Sequence, residues 1–148
     1  MRKFAHGLAG DSRIRLEIAH IPNERVYLYF KSADLVVLPY RDVQNERNLF
    51  NSGIALVALS FNRPVLVPNQ GAMRELYAQV GPDWVRTFDE FTAAELSAGL
   101  KWALGHCRPA IAPLEHLDHK VLATRTLEAY ESVLSQDPSL RRVASSQA

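Results

Sequence analysis

The sequence predicts an α/β fold, a three-layer sandwich around a parallel sheet of about four strands. Short apolar runs at Leu35–Leu38 and Val65–Val67 carry Leu and Val without alternation, as strands buried on both faces do. Between them lies a helix-length segment, Ser52–Asn62, apolar nearly all round. The three together read as a strand–loop–helix–strand crossover, for which the right-handed form is strongly favoured. The whole chain has the order β-α-β-α-β-α-β-α-α, which calls for helices on both faces of a parallel sheet.

Arg2–Ala9 reads as the last turns of a helix, ended by Gly10 with Asp11–Ser12 as a turn. Ile14, Leu16 and Ile18 alternate with Arg13, Arg15 and Glu17, the pattern of a strand with one polar face. Pro22–Asn23 opens a short helix in which Val26, Tyr29, Phe30 and Ala33 keep helical spacing. Strand Asp34–Tyr40 follows, then a long loop Arg41–Asn51, helix Ser52–Asn62 and strand Pro64–Pro68. Asn69–Gln70–Gly71 is a turn into a helix over Met73–Val80, which Gly81–Pro82 stops. Trp84–Phe88 supplies a fourth strand, with Trp84, Phe88 and Phe91 as core. Thr92 and Glu95 form a T-x-x-E capping box ahead of a helix ending near Gly105. Pro109 and Pro113 mark a connector, and a last helix runs from about Glu115 to Ser135 with apolar Ala123, Leu127, Tyr130 and Leu134.

With 148 residues, 47% hydrophobic and 22% charged, the chain is long enough for one domain with a core of its own. Lys and Arg number 17 against 16 Asp and Glu, a net charge of +1, so no basic excess points to nucleic acid. The single cysteine, Cys107, excludes an internal disulfide and fits a reducing compartment. No apolar stretch approaches the about 20 residues that a membrane span needs, nor forms a signal peptide. A cytoplasmic protein is expected, with contact at the inner face of a membrane left open.

The loop before Ser52 is long, and the helix begins at Asn51–Ser52–Gly53. Free N–H groups and the positive dipole end at such a terminus suit an anion, phosphate above all. Asn and Ser are also ordinary capping residues, so a plain N-cap is the competing reading. Arg41 and Arg47 in the loop are candidate partners for that charge, or simply solvated. His20, expected at the end of the first strand, sits where parallel-sheet proteins place ligands, though a surface histidine is the commoner case. The five histidines form no HExxH and Cys107 has no CxxC partner, so no metal site is expected.

These residues resemble a known family. His20–Pro22 before a short helix, Ala33–Tyr40, Ser52–Leu56, Ala58–Val65, and Gly71 with Glu75–Leu76 are similar to the C-terminal, donor-binding domain of GT-B fold glycosyltransferases, most of all the large retaining family four. The likeness runs from about Ser12 to about Lys101. It implies a Rossmann-like domain, a nucleotide-diphosphate sugar as donor, and a sugar, lipid-linked sugar or other hydroxyl as acceptor. The base would lie near His20–Pro22, the diphosphate over Asn51–Gly53, and Glu75 would touch the donor. No metal or other cofactor is implied, because backbone dipoles and basic side chains neutralise the phosphates.

Three departures qualify the likeness. The family's two signature glutamates fall at Leu49 and Val57, neither of which accepts a hydrogen bond. The domain's first two strands, with their diphosphate-clamping Arg and Lys, lack counterparts, and so does the N-terminal acceptor domain. The expectation is therefore an incomplete domain: residues 1–136 form a partial Rossmann-like donor-binding unit and 137–148 a disordered tail. The missing acceptor domain is its natural partner, and an unpaired strand edge would favour self-association. A non-catalytic α/β module, kept for binding a nucleotide or a protein, is the alternative. Burial of helix Ser52–Asn62 on most faces, Leu56 included, is expected from its composition.

Overall fold

The computed structural model describes residues 12–15, 17, 19–40 and 53–136. Six regular elements build the sheet and its cover: α1 (Asn23–Ser32), β1 (Val36–Val37), α2 (Gly53–Ser60), β2 (Val65–Pro68), α3 (Gly71–Val80) and β3 (Val85–Phe88). Helix α4 (Ala93–Gly105), a 3-10 turn (Glu115–Leu117) and α5 (His119–Gln136) follow. The sheet has the order β1-β2-β3 and both pairings are parallel, Val36 opposite Val65 and Val65 opposite Val85. This is the expected α/β class, with three strands among the described residues rather than about four.

β2 is the centre of the structure. Val65, Leu66 and Val67 are fully buried, and the alternation of side chains divides them between two layers. Val65 and Val67 join Ala55, Ala58, Leu59, Met73 and Leu76 in the main core, under α2 and α3. Leu66 points the other way, toward Gly99 of α4; a Cβ on Gly99 would stand 2.8 Å from a Leu66 methyl. Arg86, level with Leu66 in the register, faces Glu95 of α4 at 3.8 Å. Helices thus cover both faces.

The expected elements hold at their centres and shift at their ends. α2 stops at Ser60 because Asn62 takes a left-handed φ of 55°, and Arg63 N–H closes on the Ala58 carbonyl at 3.0 Å. Thr92 Oγ1 accepts from Glu95 N–H at 3.1 Å, as a capping residue should, but the Glu95 carboxylate turns to Arg86. The last helix divides at Asp118, whose Oδ1 accepts from Lys120 N–H at 2.8 Å and so caps α5. His116 and His119 accordingly lie on separate elements.

Two expectations fail. α2 is not buried on most faces: Ala55, Ala58 and Leu59 are, whereas Ile54, Leu56 and Val57 are 49%, 36% and 36% exposed. An eight-residue helix lying on one face of a sheet offers that sheet a single stripe, whatever its composition. Nor do Ile14, Arg15 and Glu17 belong to a strand. The segment is tied through side chains, Arg15 to Glu17 at 2.6 Å and the Tyr29 hydroxyl to the same carboxylate. The helix expected over Arg2–Ala9, residues Leu16 and Ile18, the loop Arg41–Asn51 and the tail 137–148 lie outside the described residues.

The Tyr29–Glu17 contact has a measurable consequence. The Tyr29 hydroxyl, then Arg15, hold the Glu17 carboxyl below its ordinary value of 4.5, and the same bond lifts the Tyr29 hydroxyl above 10.0. Carboxylate and phenol are thus favoured together. The contribution to stability is present above the unfolded Glu17 value and below the unfolded Tyr29 value, and fades beyond both. NMR titration of Glu17 in Tyr29→Phe should show its pKa moving up toward 4.5. An unmoved titration would show that Arg15 alone sets it.

Candidate functional site: the carboxyl edge of the sheet

Because all three strands are parallel, their carboxyl ends lie along one edge, where α2 and α3 begin. Two helix N-termini therefore point their free N–H groups at that edge. Neither α2 nor α3 has an acid in its first turn, and no side chain caps α3. Gly53 opens α2 and is exposed, and a Cβ there would meet nothing within 4 Å among the described residues. Gly71 opens α3 at φ 47°, a left-handed value that other residues adopt at a cost. Both termini carry the positive end of a helix dipole, which favours an anion.

Side chains from the ends of two strands and from α3 meet beside the start of α3. Asn69, just past β2, donates its side-chain amide to Asp89 Oδ1 at 2.9 Å, and its backbone N–H to the Phe88 carbonyl at 2.7 Å. Arg74 reaches back along α3 to the Asn69 carbonyl at 3.3 Å, which holds a guanidinium beside the uncapped terminus. Sequence reasoning missed this group. Asn69 was legible only as a turn residue, and nothing local ties it to Asp89, just past the next strand.

The residues expected at the site are placed as follows. Asn51, Ser52, Arg41 and Arg47 lie outside the described residues. Gly53 stands at the edge. His20 is exposed and ends no strand. It precedes α1, and connectivity runs α1 back toward the start of β1, so the helix begins near the carboxyl edge. The stacking of Phe30 on Phe61 at 5.9 Å fixes the other end of α1 beside the end of α2. Glu75 lies in the second turn of α3, not the first, and is turned toward α2 and α5, where it lines a cavity with Leu56 and Leu122. Its neighbour Arg74, rather than Glu75 itself, reaches the edge.

At the opposite, amino edge the groups are structural. The Arg108 guanidinium lies 5.8 Å from the Trp84 ring and 5.4 Å from the Trp102 ring, and its Nε donates to the Asp83 carbonyl at 3.1 Å. His106 Nε2 meets Asp83 Oδ1 at 2.7 Å. Among the described residues no group of three or more His, Cys, Asp or Glu could hold a metal ion. No helix among them is long and apolar enough to cross a membrane.

No family model matches the chain, and no solved structure matches it. Among curated proteins it is similar to two from Xanthomonas campestris pv. campestris, each a GDP-mannose:glycolipid 4-beta-D-mannosyltransferase and each 32% identical over 130 residues. The similarity is to a glycosyltransferase. The aligned stretch makes up 87% of this chain but 36% of each relative, so the chain spans about a third of their length.

Proposed function

We propose that this chain is the donor-binding part of a glycosyltransferase that takes a nucleotide-diphosphate sugar and passes the sugar to a hydroxyl of a glycolipid. The observation that carries the reading is the 32% identity over 130 residues to enzymes named for GDP-mannose and a glycolipid acceptor. The carboxyl edge supports it, since two helix N-termini without a first-turn acid and the Arg74 guanidinium beside one of them suit a diphosphate. In this reading the backbone at Asn51–Gly53 and at Gly71 receives the diphosphate. Arg41 and Arg74 supply charge, His20 lies toward the base, and Glu75 toward the sugar. The acceptor site belongs to the part of the relatives that this chain does not span, in a GT-B arrangement. A β-linked product formed from an α-linked sugar diphosphate requires inversion, so the retention implied by family four is not part of the proposal. A glycolipid acceptor is consistent with work at a membrane surface, and the cytoplasmic face belongs to this proposal.

The test is an amide chemical-shift titration of the 148-residue chain with GDP. Shifts should concentrate at Gly53, Ile54, Gly71 and Ala72. Gly53→Val should weaken binding about fivefold, the loss of about 1 kcal/mol of helix-terminus interaction, while leaving the fold intact. Arg41→Ala should weaken it and flatten its salt dependence. Shifts that leave all four amides silent would overturn the site and favour a module that binds no nucleotide.

A further inference from the structure

The side-chain group at the carboxyl edge keeps hydrogen-bonding capacity that the fold does not use. Asp89 Oδ1 accepts from the Asn69 amide at 2.9 Å, and the Asn69 carbonyl accepts from Arg74 at 3.3 Å. Among the described residues, no bond engages Asp89 Oδ2 or Asn69 Oδ1. Asp89 is exposed and Asn69 half-buried, so both oxygens can be reached from outside. The pair is also held in place. Asn69 N–H donates to the carbonyl of Phe88, the last residue of β3, at 2.7 Å, so backbone and side chain both grip the end of that strand. Acceptors fixed in this way lose little freedom when a ligand binds.

Charge divides the group. Arg74 stands on the α3 side, whereas Asp89 and the adjoining Glu90, both exposed, lie just past β3. A phosphate is favoured beside the guanidinium and disfavoured beside the carboxylates. Neutral hydroxyls, by contrast, donate to an ionised oxygen at no such cost, and those bonds are about twice as strong as bonds between neutral groups. The two halves are close. Gln70 alone separates Asn69 from Gly71, which opens α3, so their α-carbons stand no more than about 7.6 Å apart. In a sugar diphosphate a single oxygen joins the ring to the terminal phosphate. A phosphate received at the start of α3 therefore brings the hydroxyls of the ring within reach of Asn69 and Asp89.

We propose that Asp89, oriented by Asn69, binds hydroxyls of the sugar that the nucleotide diphosphate carries, and that it selects a neutral sugar over an acidic one. This rests on the glycosyltransferase reading given above. That reading supplies the diphosphate, and the fixed pair of unused acceptors supplies the place of the sugar. Asp89 Oδ2 and Asn69 Oδ1 each accept from one of two neighbouring hydroxyls. Glu75, on the flank of α3 that is turned toward α2 and α5, approaches from another side. Asp89 is then the residue that tells the donor from the free nucleotide diphosphate: the latter fills the start of α3 and leaves the acceptor pair empty.

The experiment is a set of amide chemical-shift titrations of the whole chain with GDP, GDP-mannose and GDP-mannuronate, the last bearing a carboxylate where mannose has its primary hydroxyl. GDP-mannose should bind about tenfold more tightly than GDP, the value of one bond to a charged acceptor, and GDP-mannuronate no more tightly than GDP. The amides of Asn69, Asp89 and Glu90 should shift with GDP-mannose and stay still with GDP. Asp89→Asn keeps an oxygen for the Asn69 amide and removes the charge. In that variant the preference for GDP-mannose over GDP should fall to about threefold, and GDP-mannuronate should bind about as tightly as GDP-mannose. Should Asp89→Asn fold poorly, Asn69→Ala keeps the carboxylate, so it should lower the preference for GDP-mannose and still reject GDP-mannuronate. A pair that serves only to tie the strands together would weaken all three ligands alike, and ratios left at their parent values would overturn the proposal. Equal affinity of the parent for GDP and GDP-mannose would sink the role of Asp89 and leave the donor reading standing. Binding of none of the three would sink the donor reading, and this proposal with it.

Discussion

Ala58→Asp is expected to unfold the chain, while Leu56→Asp, only two residues away on the same helix, leaves it folded. Ala58 is fully buried and lies against the central strand, in one cluster with Leu59, Val65 and Val67. A carboxylate there has no cation and no water, and an uncompensated buried charge costs about 3–5 kcal/mol. A domain of this size has only about 5–15 kcal/mol of stability in total. Protonating the new side chain would spare part of that cost, but it would still force extra atoms into a site that now holds one methyl group. Leu56 is 36% exposed and lines the cavity it shares with Glu75, so an aspartate there can keep its head in water. The measurement is the urea midpoint of each variant. Equal losses would mean that α2 is enclosed on both sides and that this cavity is not open.

That contrast also shows what periodicity can and cannot tell. Val65–Val67 was legible as a strand buried on both faces because it is a short, uninterrupted apolar run between turn signals. In Gly53–Ser60 nearly every residue is apolar, so the sequence holds no stripe from which to read a buried face. Only the sheet, by lying on one side, chooses Ala55, Ala58 and Leu59. Ile14–Ile18 misled in the opposite way. Its alternation is real, but alternation needs a neighbouring strand to become a ladder, and here the side chains of Arg15, Glu17 and Tyr29 make the attachment.

The candidate site was legible where it depends on one stretch of chain. The start at Asn51–Ser52–Gly53 was read from its capping residues, whereas Gly71 was read as a turn ahead of Met73–Val80 and itself opens α3. The pairing of Asn69 with Asp89, and the reach of Arg74 back to Asn69, arise only when parallel strands bring their ends together. Asp118 was missed for a different reason: an aspartate before a helix is a common N-cap, but Glu115–Leu117 upstream is apolar and acidic enough to read as the helix already begun.

Trp84→Ala should cost about 3–5 kcal/mol, whereas Trp84→Phe should stay within about 1 kcal/mol of the parent, because two opposing terms offset. Trp84 is 2% exposed, and its backbone carbonyl accepts from Val65 N–H at 2.9 Å in either variant. Its ring is one of the two that flank Arg108. Phenylalanine keeps an aromatic face there and gives up part of a cation–π contact worth about 0.5–2 kcal/mol. In return it removes the indole Nε1, which is buried with no acceptor among the described residues and costs about 1–3 kcal/mol to leave so. Alanine gains the second term too, but loses the whole ring and leaves a cavity beneath Arg108. The urea midpoints separate the two, and a Phe variant as unstable as the Ala variant would show that the indole N–H has a partner in solution. The consequence extends beyond stability. Arg108 anchors the connector that walls a cavity beside the end of α2, and Ala112 N–H is tied there to Asn62 Oδ1 at 2.9 Å. Hydrogen exchange at Ala112 should therefore quicken in Trp84→Ala and keep its parent rate in Trp84→Phe, since only the first removes the surface on which the arginine rests.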